Sequence, residues 1–160
     1  MHRMPEEERF QKAVAGDAAI IASMARAVRD RFGEAGLEAL RQQLTETYRK
    51  LIPSVARQAG ARVGDGGIED WLKVESYICQ LSGMDFQTEA GPNRGVLRVT
   101  RCPMEGQYRR IDPDCCRDVF IGLERGIIAA INPRMQVKGL RYLPRGEGAC
   151  ELVCELKTAE

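Results

Sequence analysis

Hydrophobic positions recur with a helical period through the first half of the chain and alternate through much of the second. Ile21, Met24, Ala25 and Val28 lie three and four residues apart, which predicts a helix from a capping Asp17 to about Phe32. Gly33 and Gly36 punctuate its end. Leu37, Leu40, Leu44, Tyr48 and Leu51 predict a second helix, with Pro53 kinking or restarting it and Gly60 ending the turn that follows. After the loop Gly64-Asp65-Gly66-Gly67, a third helix starts near Ile68, buries Leu72, Ile78 and Leu81, and stops at Gly83.

From there the pattern is strand-like. Met84 to Glu89 and Gly95 to Cys102 read as a hairpin about the turn Gly91-Pro92-Asn93-Arg94. Asp112-Pro113-Asp114 opens a further helix with Val119, Leu123, Ile127 and Ile131 on its inner face, and Asn132-Pro133 stops it. Met135 to Leu143 and Ala149 to Lys157 form the last two strands. The expectation is one α+β domain over residues 1–160. A mobile leader (1–15) precedes a helical part (16–83) and a sheet part (84–157) that contains the helix 114–131. The helical N-terminal layer packs on a mainly antiparallel four-stranded sheet, with one helix crossing between its hairpins.

Composition narrows the function classes. The chain of 160 residues is 44% hydrophobic and 29% charged, ordinary for a globular domain. Its 24 basic and 23 acidic side chains nearly cancel, so nothing marks a nucleic-acid or anionic-membrane surface. No apolar run approaches a membrane span, and the acidic start Glu6-Glu7-Glu8 lacks a signal peptide's apolar core, so a cytoplasmic protein is expected. The apolar stripes of the first two helices exceed what one small sheet covers, which points to a homodimer.

Six cysteines carry the chemistry: Cys79, Cys102, Cys115, Cys116, Cys150 and Cys154. In a reducing compartment they read as thiols, metal ligands or nucleophiles before disulfides, or simply as small core residues. His2 is the only histidine, which nearly excludes histidine-based catalysis. In the last strand Cys150, Leu152, Cys154 and Leu156 share one face, and the company of leucines marks that face as buried. Cys115 and Cys116 begin a helix, where unpaired amides favour the thiolate. Arg117 adds to that effect, and Asp114 and Asp118 oppose it. A strand end, a helix start and a neighbouring strand can thus bring Cys102, Cys115 or Cys116, and Cys150 together. The outcome is either a nucleophilic thiol beside a carboxylate or a thiolate-bound zinc. Spacing weakens the metal, because Cys150 and Cys154 stand roughly 13 Å apart along a strand and no CxxC pair occurs.

Thr100-Arg101-Cys102-Pro103, Cys115-Cys116-Arg117-Asp118 and Gly146-Glu147-Gly148-Ala149-Cys150-Glu151-Leu152 together resemble the L-2-amino-thiazoline-4-carboxylic acid hydrolase family. The match spans roughly residues 30 to 157. Glu147 stands where the family often has aspartate, and the doubled Cys115-Cys116 replaces a single cysteine. The last third also resembles 4-vinyl reductase-type ligand-binding domains. The first resemblance implies hydrolysis of a cyclic amidine, with Cys115 or Cys116 as nucleophile and Asp118 or Glu147 as proton carrier. Arg101 would clamp the substrate carboxylate, and Cys102 and Cys150 would line the pocket or support a metal. The second implies a small-molecule pocket without chemistry. Plainer readings stand beside these: Arg101 as a solvated strand-end charge, Trp71 as a core residue, Tyr108-Arg109-Arg110 as an exposed loop, Asp85 and Glu89 without partners.

Overall fold

A computed structural model describes residues 4–157. Its elements are α1 (Glu6–Ala59), α2 (Ile68–Leu81), β1 (Asp85–Ala90), β2 (Arg94–Arg101), α3 (Glu105–Ile111), a π-helical turn (Cys116–Phe120), α4 (Ile121–Ile131), β3 (Met135–Arg141), a short 3-10 turn (Leu143–Arg145) and β4 (Cys150–Leu156). The protein is α+β, with its helical part first and a four-stranded antiparallel sheet after it. His2 lies outside the described residues. No helix among them is long and apolar enough to cross a membrane.

α1 is two helices joined end to end. Gly33 has φ 60° and ψ −151°, a backbone that only glycine adopts at little cost, and the axis breaks there. Helical structure begins at Glu6 rather than Asp17. Glu6, Glu7 and Glu8 fill the first turn, where carboxylates meet the positive end of the helix dipole. Pro53 rides inside the second half on its exposed side, and Gly60, in the left-handed region, closes it.

The sheet order is β1-β2-β4-β3. Leu97 pairs with Leu152, Val99 with Cys150 and Val137 with Cys154, so these side chains share one face. That face packs on α2 and α4, and the core there includes Trp71, Leu72, Ile127, Ile131 and Cys154. The alternation in β4 thus points its cysteine face inward as expected, and Trp71 is wholly buried. On α2, Leu72 is buried and Ile78 packs on the core as expected, but Leu81 is exposed, and Val74, Glu75 and Cys79 also turn inward.

α4 lies against the second half of α1 at very short range. A Cβ added at Gly122 would stand 2.8 Å from the Arg41 carbonyl oxygen, and one at Gly126 would stand 2.7 Å from that of Thr45. Glycine at both positions lets the two backbones touch. Thr45 Oγ1 donates to the Gly122 carbonyl at 3.0 Å across the contact.

A second, smaller core joins the first half of α1 to α3 and the π turn. Ala18, Ala22 and Ala25 pack against Tyr108, Cys115 and Val119. Residues 105–111 form a helix rather than an exposed loop, and Tyr108 is its buried anchor. The stripe predicted for this part of α1 is therefore only partly inward: Ala25 faces in with Ala18 and Ala22, whereas Ile21 and Met24 face out.

Candidate functional site

Cys102, Cys116 and Cys150 lie within electrostatic range of one another where the two cores meet, with Cys79 in range of Cys102 and Cys150. Cys102 follows the last residue of β2, Cys116 opens the π turn, and Cys150 opens β4, opposite Val99. All three are half-buried, whereas Cys79, Cys115 and Cys154 are fully buried. Cys116 feels the charge of Cys150 and Cys102, and Cys150 feels that of Cys102. Tyr108 and Tyr142 stand within the same field. The Cys150 sulfur accepts the Leu143 N–H at 3.3 Å. Among the described residues no three histidine, cysteine or carboxylate side chains are placed to hold a metal together.

The expected thiolate at the helix start is not what the environment favours. Burial is the largest influence on each thiol and raises it: Cys115 to about 12, Cys150 to about 11, and Cys116 beyond the ordinary thiol range. The π turn is one cause. Running directly into α4, it carries Cys115 into the alanine-lined core instead of leaving it at an open helix end. Cys102 is the mildest case. Burial raises it too, but the backbone amides of Met104 and Glu105 favour its thiolate and offset part of the cost.

Asp118 is a structural anion. Its carboxylate takes Arg29 at 2.6 Å and Arg117 at 2.9 Å, and its own carbonyl accepts the Arg41 Nε–H at 2.8 Å. Burial works against its charge, yet Arg117 and Arg29 together hold the carboxyl below its ordinary range. Asp112 pairs with the same Arg29 at 2.8 Å. Arg101 makes a two-pronged pair with Asp85 at 2.7 and 2.9 Å on the exposed sheet edge, so Asp85 does have a partner. Glu147 accepts the Tyr142 N–H at 2.7 Å and closes the turn before β4. Of the residues singled out in the sequence, Cys102, Cys116 and Cys150 come together. Cys115, Asp118 and Arg101 serve packing and ion pairs.

A second cluster lies in the main core. Glu75 of α2 and Glu124 of α4 face each other, only 3% and 8% exposed. Burial raises both carboxyls far above the usual range, Glu124 further because Glu75 adds its charge. Among the described residues Trp71 Nε1, Glu75 Oε1 and Glu124 Oε2 have no hydrogen-bond partner, so the indole leans toward both acids without reaching bonding geometry. Tyr48 of α1, Cys79 of α2 and Cys154 of β4 surround the pair. One signal was present in the sequence: Glu75 stands between Trp71-Leu72 and Ile78-Cys79 at helical spacing, on the inner stripe.

No family model matches the chain, and no curated protein is significantly similar to it. Among solved structures, the chain is similar to a trafficking protein particle complex subunit 3 from Naegleria fowleri covalently bound to palmitic acid. The two share 12% identity over 89% of this chain and 96% of that one, with a TM-score of 0.59. The likeness is one of fold.

Proposed function

We propose that the domain is a small-molecule-binding module that receives an acyl chain at the seam between its two cores, with Cys102 as the thiol that carries it. The observation that carries the reading is that Cys102, Cys116 and Cys150, from three separate segments, lie half-buried within electrostatic range of one another beside apolar packing. Two backbone amides, those of Met104 and Glu105, favour thiolate at Cys102, against one, that of Leu143, at Cys150. A thiolate in such a setting attacks the carbonyl of a long-chain acyl thioester. A new S–C bond forms on Cys102, the donor's S–C bond breaks, and the donor leaves as a thiol holding the proton that Cys102 gave up. The solved structure of similar fold, with palmitic acid joined to it, supports the same ligand class.

The ring-opening reading asks, beyond the thiolate that acylation also needs, for a free proton carrier beside it. Asp118 is held by two arginines and Glu147 takes the Tyr142 N–H and Arg145, so the binding reading has the better support. Intact-protein mass spectrometry after incubation with palmitoyl-coenzyme A tests it. One acyl addition is expected, faster at pH 9 than at pH 7 because the raised thiol ionises only as pH climbs. Cys102→Ser should abolish the addition, and Cys150→Ser should retain it. An unmodified wild type, or equal acylation of Cys102→Ser, would defeat the assignment. Turnover of the thiazoline, lost on replacing Cys116, would instead favour the hydrolase.

A further inference from the structure

The first half of α1 is built inside out. Its buried face is made of Ala18, Ala22 and Ala25, none more than 1% exposed. Its outer face shows Ile20, Met24 and Phe32 at 60%, 63% and 66% exposure, with Ile21 at 37%. A helix whose only task were to cover the small core would carry its bulky residues inward, because each buried large aliphatic side chain contributes about 1.5–3 kcal/mol. Here the larger apolar groups are held in water along one side. Contiguous patches of this kind mark interaction surfaces.

The pattern on that side is regular. Asp17, Met24 and Arg31 stand seven residues apart, with Ile20 and Ile21 between the first two and Ala27 and Val28 between the last two, the seam of a helix pair. Asp17 and Arg31 are both exposed, and neither takes an ion-pair partner from the described residues of its own chain. They stand seven residues on either side of Met24, about 21 Å from each other along the axis.

We infer that this face pairs with a second copy of the chain, the two helices antiparallel about a two-fold axis at Met24. In that arrangement Met24 meets its own copy, Ile20 faces Val28, Ile21 faces Ala27, and Asp17 of each chain meets Arg31 of the other. The two ends of the seam are closed by opposite charges. A parallel pairing would set Asp17 against Asp17 and Arg31 against Arg31, so the charges select the antiparallel form. The self-complementary sequence singles out a copy of the same chain over an unrelated partner, whose surface would need no such symmetry. Gly33 breaks the axis just past Arg31 and sets the limit of the straight seam.

Sedimentation equilibrium of the full chain and three sets of variants tests the inference. The wild type is expected to dimerise at micromolar concentration. Met24→Asp, at an exposed position that leaves the fold intact by circular dichroism, should weaken association by at least about 100-fold, since it buries two unpaired carboxylates at the axis. Asp17→Arg and Arg31→Asp should each weaken it roughly 10-fold through two repulsive contacts, and the double exchange should recover most of the loss. A folded wild type that stays monomeric at about 100 µM, well above micromolar affinity, overturns the proposal and assigns the face to another partner. A dimer indifferent to Met24→Asp overturns it equally. Failure of the double exchange to recover affinity overturns the antiparallel register.

Discussion

Glu75 and Glu124 show how much one residue's surroundings matter. Two carboxyls buried face to face cannot both ionise without leaving like charges in a medium of low polarisability. Tyr48, Cys79 and Cys154, with Tyr142 further off, offer no cation to offset them. Their folded-state pKa values lie above the unfolded 4.5. The native state therefore holds protons that the unfolded chain releases, so stability is greatest below the unfolded value and falls as pH rises through neutrality. Glu124→Gln removes that penalty. Urea unfolding should show the variant roughly 1–3 kcal/mol more stable than wild type at pH 8 and nearly equal at pH 5, given the usual cost of an unsatisfied buried acid. Equal pH dependence of the two proteins would show that the pair does not hold its proton.

At the scale of elements, the contact of α4 with α1 depends on absent side chains. Gly122 and Gly126 are separated by one helical turn; Gly122 meets the Arg41 backbone, and Gly126 meets the Thr45 and Arg49 backbone together with the Tyr48 Cβ, which its own backbone fixes. Gly126→Ala raises helix propensity by about 1 kcal/mol but drives a methyl group to 2.7 Å from the Thr45 carbonyl oxygen. The clash wins, because backbone cannot step aside without moving α4 off the core. A net loss of about 2 kcal/mol is expected in chemical denaturation. Gly16→Ala, in the same long helix with open space around it, should instead stabilise. A neutral Gly126→Ala would show that the helices do not meet so closely. The thiol site follows from the same packing, since Cys116 reaches Cys102 and Cys150 only while the π turn is held at the end of α4.

Across the whole molecule, the two halves of α1 are joined through Asp118. Arg29 from the first half of α1 binds its carboxylate, Arg41 from the second half binds its carbonyl, and the π turn carries it. This carboxyl is held below its ordinary value, so its contribution is present above about pH 4 and is lost as pH falls further, opposite in sign to the glutamate pair. Asp118→Asn should cost roughly 1–3 kcal/mol. Hydrogen exchange of residues 18–29 should quicken while β2 and β4 stay protected, because only the small core loses its staple. Uniform protection in the variant would argue that Asp118 does not couple the two parts.

Much of the architecture was legible in the chain. Alternation placed Cys150, Leu152 and Cys154 on the inner face of β4, Gly33 and Gly60 marked real breaks, and the apolar spacing of α4 found its buried side. These features arise from neighbours in sequence, whose periodicity maps directly onto one helix or strand. Other features could not be read so. Tyr108 looked like loop because three charged or polar neighbours mask a helix that only its contact with the alanine face stabilises. The Cys115 thiol at a helix start appeared activated, and tertiary burial reversed the sign. The inward turn of Ala18, Ala22 and Ala25 depends on what lies opposite, since an alanine face and an isoleucine face share the same period. Local periodicity determines which elements form; the space between elements decides which face is buried, which thiols meet and which acids keep their protons.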